Sequence, residues 1–264
     1  MSIASEIKIL DREFVLSNPM EARDRLASPE GALILLDKPY GETSFFVVNR
    51  LRSAISRSSG VRKRVKCGHA GTLDPLATGL LILATRGKTK ALMGLIGLDK
   101  TYLLRMRFGV TSASFDLEQP IQLCEGAERL SESEVRHAIE ALPGEHQQLP
   151  PIFSAIKQQG QPVYIRARAG KDIILQPRVI QIYSAHVLSM NLPEVTFRVH
   201  VSKGTYVRSL VRDLAASLGT CGILIDLVRE SIGPWNLTDA LTLAEATRII
   251  EESQSASTEP IHHS

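Results

Sequence analysis

The sequence has few cysteines and no long apolar run. Its 264 residues include only three cysteines, Cys67, Cys124 and Cys221. These are too few and too scattered for a disulfide scaffold, and no Cys-x-x-Cys pair suggests zinc or redox chemistry. The longest apolar runs, such as 32–36 and 80–84, are far too short to span a bilayer, and the acidic N-terminus is unlike a signal peptide. We therefore expect a cytoplasmic protein that is neither secreted nor inserted in a membrane.

Acidic residues are missing from one stretch, Thr43 to Leu73, although the formal charge of the whole chain is only +3. Seven basic residues fall in that stretch: Arg50, Arg52, Arg57, Arg62, Lys63, Arg64 and Lys66. They could simply form a solvated helix face followed by a loop, or they could bind phosphates. Both interpretations stay open, and the second gains weight because the stretch leads into a glycine-rich segment.

Hydrophobic periodicity predicts an α+β fold. The apolar run 32–36 predicts a buried strand, followed by a helix capped by Thr43 or Ser44. Alternating patterns predict strands over 102–109 and 195–201, with another extended run over 178–190. Further helices are predicted at the capping boxes of residues 131–134 and 242–245, and after Gly204. We expect a mixed, largely antiparallel central sheet flanked by helices in one domain over 31–250, an N-terminal extension over 1–30 and a disordered tail over 251–264.

The glycine-rich segment 68–79, Gly-His-Ala-Gly-Thr-Leu-Asp-Pro-Leu-Ala-Thr-Gly, carries the most specific pattern in the chain. A residue before proline is steered away from helical geometry, so Asp74 is predicted on a loop from which its carboxylate can project into a cleft. The alternative is a turn in which Asp74 caps Ala77 or Thr78 at the front of a helix. Local physics alone favours that alternative.

Two other patterns suggest chemistry but lack a required residue. Residues 86–89, Arg-Gly-Lys-Thr, end like a P-loop, yet Ile82 stands where that motif needs glycine. His69 lies close to Asp74 in sequence, but the remaining histidines lack the spacing of metal ligands. The sequence therefore predicts neither nucleotide hydrolysis nor a metal site.

The glycine-rich segment strongly resembles the aspartate motif of the TruB family of pseudouridine synthases, Gly-His-x-Gly-x-Leu-Asp-Pro-x-Ala-Thr-Gly. Other stretches resemble further motifs of that family in the same order: 37–44, 100–102, 149–168, 202–208 and 227–229. The resemblance implies a pseudouridine-synthase fold with an RNA-gripping insertion at about 147–177.

The resemblance also implies roles for individual residues. Asp74 corresponds to the catalytic aspartate, which acts as nucleophile or base, and Arg208 to the arginine that pairs with it. Tyr102 corresponds to the tyrosine that stacks on the target base, and His69 to the histidine that wedges into the RNA where the base leaves. The implied substrate-binding residues are His69, Tyr206, Leu227, Lys38, Gly71, Lys157, Arg166 and Arg168.

The implied substrate is the T-arm of tRNA, with the uridine at tRNA position 55 becoming pseudouridine without a cofactor, a metal or a guide RNA. A monomer is expected, as is the absence of the C-terminal PUA domain that many relatives carry. The departures from the family pattern at Cys67 and Phe153 are mild, and that in the segment 109–116 concerns only a peripheral loop. A second hypothesis is a tRNA-folding chaperone for which modification is secondary.

Overall fold

The structure is a computed structural model that describes residues 9–59, 65–153, 157–158, 161–162 and 175–252, the two short pairs as main chain only. Most of the tail predicted over 251–264 lies outside the described residues. By its internal contacts the chain divides into two units. The first unit comprises residues 1–98 and 229–264, and the second comprises residues 99–228.

Strands and helices are interspersed along the chain. Up to residue 98 they are β1 (Ile9–Leu10), α1 (Arg12–Ser17), α2 (Pro19–Ala27), β2 (Leu33–Lys38), α3 (Ser44–Ser58), β3 (Cys67–His69), β4 (Thr78–Thr85), a 3₁₀ helix (Arg86–Ala91) and α4 (Leu92–Ile96). There follow β5 (Lys100–Phe108), β6 (Val110–Thr111), β7 (Gln122–Leu123), a 3₁₀ helix (Ala127–Arg129), α5 (Glu132–Glu140), β8 (Gly144–Gln148), β9 (Lys157–Gln158), β10 (Gln161–Pro162), β11 (Arg178–Asn191), β12 (Glu194–Val201), α6 (Val207–Ser217) and β13 (Gly222–Ile232). The last elements are β14 (Trp235–Asn236), a 3₁₀ helix (Leu237–Asp239), β15 (Leu241–Thr242) and α7 (Leu243–Glu252). None of these described helices is long and apolar enough to cross a bilayer.

The first unit contains a mixed sheet with the strand order β1-β2-β4-β13, in which β13 counts from Arg229 onwards. Strand β2 is antiparallel to β4 and parallel to both β1 and β15. Helix α3 begins as predicted, because the Thr43 side chain accepts a hydrogen bond of 3.0 Å from the Phe46 N–H. Its apolar stripe buries Val47, Leu51 and Ile55 completely. The sheet therefore has one face closed by an amphipathic helix.

Residues 9–27, which fall in the predicted N-terminal extension, contribute to that same core. Strand β1 pairs with β2, and Leu10, Val15 and Leu26 are at most 2 % exposed within the cluster that contains the stripe of α3. Burying each of these side chains stabilises the fold by about 2 kcal/mol. The extension thus includes elements that are integral to the first unit, although its sequence shows no sustained period.

The second unit contains strands in the order β13-β5-β12-β11-β8, where β13 counts up to residue 228. Strand β12 is antiparallel to both β5 and β11, and β8 is antiparallel to β11. The strands predicted over 102–109, 178–190 and 195–201 are therefore confirmed. The capping box at the start of α5 is confirmed as well, because Ser131 and Glu134 bond each other's backbone N–H.

The cysteines of the second unit form a pair that no sequence pattern indicated. The side chains of Cys124 and Cys221 meet across 97 residues of sequence, with their Cα atoms 6.3 Å apart. Cys67 in the first unit is a free thiol, and its burial raises its pKa to about 11. This thiol therefore stays protonated and unreactive at neutral pH.

Candidate active site

Asp74 lies in a turn that connects β3 to β4 in the first unit. The Ala77 N–H donates to the Asp74 carbonyl at 3.1 Å, and the chain then enters β4 at Thr78 as a strand. No helix follows the turn, so the alternative in which Asp74 caps a helix is wrong. The aspartate is half-buried at the tip of a loop, as the Asp-Pro sequence predicted.

Lys38 holds this loop in place through hydrogen bonds of its ammonium group. It is fully buried at the end of β2, and its ammonium donates to the carbonyls of Pro39, Glu42 and Pro75. The Gly41 N–H donates to the same Pro75 carbonyl at 2.9 Å. Because three acceptors surround one buried cation, the residue after Asp74 is fixed to the end of β2.

Ser44 restrains the other side of the loop. Its hydroxyl accepts from the Leu73 N–H at 2.9 Å and donates to the Leu73 carbonyl at 3.1 Å. The residues on both sides of Asp74 are therefore bonded to the segment 38–44. A hydroxyl can both donate and accept, and Ser44 lies in the motif Lys-Pro-x-Gly-x-Thr-Ser.

Arg229 is a second buried cation beneath the loop, and its role was missed in the sequence. It is 1 % exposed and donates from Nε to the Leu80 carbonyl at 2.7 Å and from Nη2 to the Gly71 carbonyl at 3.2 Å. Its main chain also passes so close to Gly79 that a Cβ there would lie 2.4 Å from the Arg229 carbonyl oxygen. Gly79, whose φ is +103°, must therefore be glycine for this approach.

His69 lies on β3, with its ring partly buried near the same arginine. Burial, followed by the positive charge of Arg229, lowers the pKa of His69 below its ordinary value of 6.5, and a hydrogen bond with the Gly71 backbone opposes that shift. The imidazole is consequently neutral at neutral pH. A neutral ring suits insertion between stacked bases, which is the role predicted for it, better than a charged one.

The lowered pKa of Lys38 predicts that activity falls at alkaline pH. Burial lowers the pKa of its ammonium from 10.5 to about 8, although Glu42 and Asp74 oppose the shift. Above that pH only two N–H donors remain for three carbonyls, so the loop loses a restraint and we expect the reaction rate to fall with an apparent pKa of about 8. A pH–rate profile tests this expectation.

Thermal unfolding over the same pH range separates this loss from denaturation. The pKa of Lys38 is lower in the folded than in the unfolded chain, so between about pH 8 and 10.5 the unfolded chain binds more protons. The contribution of Lys38 to stability therefore rises with pH in that window. A rate that stays constant to pH 9.5, or that falls only together with the melting temperature, would contradict the assignment.

The remaining predicted site residues of known placement belong to the second unit. Tyr102 lies on β5, paired with Val199 of β12, and is 7 % exposed on the face that carries the core residues Leu104 and Met106. Leu227 lies on β13 and is 6 % exposed. Tyr206 is half-buried and immediately precedes α6. The main chain of Lys157 lies in β9, and Arg166 and Arg168 fall outside the described residues.

Arg208 is buried in the first turn of α6, where it is held from several directions. It is 4 % exposed and donates from Nη1 to the Ser114 carbonyl at 3.0 Å and from Nη2 to the Phe153 carbonyl at 2.8 Å. Its Nε lies 3.6 Å from Oδ2 of Asp116, a carboxylate that is itself only 4 % exposed. These contacts fix the plane of the guanidinium.

Asp116 corrects the sequence analysis, which placed the segment 109–116 in a peripheral loop. The Asp116 carboxylate accepts from the Ser114 hydroxyl and, at 3.0 Å, from the Glu118 N–H, in addition to its ion pair with Arg208. The segment 109–116 therefore supplies residues that hold Arg208, a predicted catalytic residue, in place. The pairing of Arg208 with Asp74 implied by the family resemblance stays a prediction.

The comparison with known sequences agrees with the motifs. Residues 59–207 match the family described as TruB family pseudouridylate synthase, N-terminal domain. The chain is 39 % identical over 225 residues to tRNA pseudouridine synthase B of Phocaeicola vulgatus, an alignment that covers 85 % of this chain and 95 % of that protein. It is 40 % identical over 237 residues to tRNA pseudouridine synthase B of Chloroherpeton thalassium, covering 88 % and 97 %.

Solved structures support the fold. The chain matches a protein of a Cbf5-Nop10-Gar1 complex with a TM-score of 0.65 and 25 % identity, covering 92 % of this chain and 60 % of that one. It matches a chain of an H/ACA RNP bound to a substrate RNA with a TM-score of 0.61 and 24 % identity, covering 86 % and 56 %. The chain thus spans little more than half of those proteins, and the second likeness shows the fold alone. Since the family match spans more than half of its residues and relatives share about 40 % identity over most of it, the chain belongs to the TruB family of pseudouridylate synthases.

Proposed function

We propose that this chain is a tRNA pseudouridine synthase that converts the uridine at position 55 in the T-loop of tRNA to pseudouridine. The observation that carries the proposal is the Asp74 loop, which two buried cations, Lys38 and Arg229, hold in place. Such a rigid loop presents a carboxylate in a fixed direction, which is what covalent or general-base catalysis needs. The relatives named tRNA pseudouridine synthase B support tRNA as the substrate.

The reaction is an isomerisation and balances without a co-reactant. The bond between N1 of uracil and C1′ of the ribose breaks, the base turns, a bond forms between C5 and C1′, and the C5 proton leaves to water as N1 gains one. Asp74 acts either as the nucleophile at the sugar or as the base that removes a sugar proton. A flat ring such as that of Tyr102 can retain the detached base while it turns.

The target uridine is stacked within folded RNA, so it must be flipped out at a cost of a few kcal/mol. We propose that His69 fills the vacated space and that the basic residues of 50–66, together with Lys157, Arg166 and Arg168, bind the flanking phosphates. Binding then weakens steeply as the salt concentration rises. The enzyme acts as a cytoplasmic monomer that recognises tRNA directly, without a guide RNA.

Tritium release tests the proposal, because the C5 hydrogen is lost only when pseudouridine forms. The purified protein is incubated with an unmodified tRNA transcript carrying [5-³H]uridine, without metal or cofactor. A transcript with cytidine at position 55 is the control. We expect release of one tritium equivalent from the first transcript and none from the control; tight binding without release would instead support the chaperone hypothesis.

Tyr102→Phe separates two roles of the tyrosine. If the ring only stacks on the base, this variant turns over at nearly the normal rate, whereas a hydroxyl that assists proton transfer makes the rate fall by about 10²-fold or more. Because Tyr102 is 7 % exposed and close to the reacting base in the proposal, we expect the fall, with the dissociation constant for tRNA unchanged. A rate within twofold of the wild type would assign the residue to stacking alone.

A further inference from the structure

The segment 148–153, here called the docking segment, is bonded at both of its ends to the start of α6 within the second unit. The Leu149 carbonyl accepts from the Ser209 hydroxyl at 2.9 Å and from Nη2 of Arg212 at 3.1 Å. The Phe153 carbonyl accepts from Arg208 at 2.8 Å. In these bonds the helix donates its side chains to the main chain of the docking segment.

Gln148 makes the reverse contact, from a side chain to the main chain that precedes the helix. It is 3 % exposed, its Oε1 accepts from the Tyr206 N–H at 2.8 Å, and its Nε2 donates to the Tyr206 carbonyl at 3.1 Å. That carbonyl also accepts the first helical bond, from the Leu210 N–H at 3.0 Å. The side-chain amide of Gln148 therefore bonds both main-chain polar groups of Tyr206, the N–H and the carbonyl.

The position of Tyr206 makes this contact significant. Tyr206 is the N-cap residue of α6, and its side chain makes no capping hydrogen bond. The Gln148 amide bonds both the N–H and the carbonyl of Tyr206, and so holds the main chain where the helix begins. Arg208 follows only two residues later. A displacement of the Tyr206 main chain therefore moves a predicted pocket wall and a predicted catalytic residue together, and misplacement of about 1 Å can cost 10²-fold in rate.

We propose that Gln148 is a positioning residue for the pseudouridine synthase reaction: its amide sets the start of α6, and with it Tyr206 and Arg208, and so controls the rate of the chemical step and not the affinity for RNA. The inference rests on the proposed function. It does not follow from the sequence, because 58 residues separate Gln148 from Tyr206 along the chain.

Gln148→Met tests the proposal, since methionine keeps the length of the side chain and removes both hydrogen bonds. Gln148 lines a cavity of about 250 Å³ with apolar neighbours such as Leu142, Ile180 and Leu210, which can accept a thioether. The matched control is Gln147→Met, because Gln147 is the adjacent residue on β8 and is exposed. We expect the single-turnover rate of Gln148→Met to fall by about 10- to 100-fold, with the Kd for tRNA within twofold of the wild type and the control unchanged.

Gln148→Glu supplies a readout that a merely structural role would not move. A protonated carboxyl both donates and accepts, as the amide does, whereas the ionised form only accepts and repels the Tyr206 carbonyl. We expect the rate relative to the wild type to be low at pH 8 and to recover by about 10-fold towards pH 5.5. The surrounding titratable or charged groups are His146, Asp213, Arg178 and Arg212, and the wild type at each pH carries all of them.

The outcomes distinguish this inference from the proposed function. If the wild type releases no tritium, the proposed function fails and the inference fails with it. If the wild type is active and Gln148→Met reacts at the wild-type rate, or loses affinity in proportion to rate, only the positioning role is wrong. Should Gln148→Met not fold, the pH dependence of Gln148→Glu decides: a profile parallel to that of the wild type overturns the proposal.

Discussion

Asp74→Asn is expected to abolish pseudouridine formation, with a rate at least about 10³-fold below the wild type. The amide keeps the shape of the carboxylate but can neither attack carbon nor accept a proton at neutral pH. The turn itself should persist, because its bond from the Ala77 N–H goes to the Asp74 carbonyl of the main chain. We therefore expect the melting temperature and the Kd for tRNA to be nearly unchanged, as measured by thermal unfolding and filter binding.

Asp239→Asn is the matched control, because Asp239 is an exposed aspartate of the same unit. Asp74→Glu adds a second comparison: it restores the charge but displaces it by one methylene from a loop that is fixed on both sides. We expect this variant to be inactive as well. Substantial tritium release by Asp74→Asn would remove Asp74 from the catalytic role and leave the family assignment without its chemistry here.

Arg208→Lys is expected to lose both stability and activity. A lysine carries its donors on one atom, so it cannot reach the Ser114 and Phe153 carbonyls and the Asp116 carboxylate together. The lysine keeps a positive charge near Asp116 but leaves at least one buried acceptor without its donor, which costs about 1–3 kcal/mol of unfolding free energy. Urea unfolding measures the loss, and the single-turnover rate should fall by about 10²-fold.

The control for this variant is Arg107→Lys on β5. Arg107 is half exposed and lies 3.8 Å from Glu194, and surface pairs of this kind contribute at most about 1 kcal/mol. Its replacement should change neither stability nor rate appreciably. An Arg208→Lys protein with wild-type stability would mean that the buried Asp116 does not depend on the guanidinium.

The sequence predicts those parts of the fold that follow from local chemistry. Every second residue of strands β5 and β12 is buried, and most of these residues are apolar. The helices α5 and α7 begin at capping boxes whose bonds form within one turn. Helices α1 and α2 are short and are separated by Asn18, so no periodicity develops that would distinguish them from an extension.

The site, like the fold, has parts that could be predicted from the sequence and parts that could not. Asp74, Tyr102 and Arg208 were assigned from motifs, but the residues that fix them make contacts across long stretches of sequence. Arg208 meets the Ser114 carbonyl 94 residues away, and Arg229 meets the Gly71 carbonyl 158 residues away. Carbonyl acceptors leave no mark on residue identity, so these contacts could not be predicted from the sequence.

The first unit draws its core from both ends of the polypeptide, and this has a consequence for biosynthesis. Helix α7, near the C-terminal end, contributes Ala246 and Ile250 to the cluster that holds Leu10 and Val15, and Arg12 forms an ion pair with Glu245. The second unit, by contrast, is one continuous stretch. During translation the second unit can therefore fold before synthesis is complete, whereas the core of the first unit is completed only when α7 emerges from the ribosome.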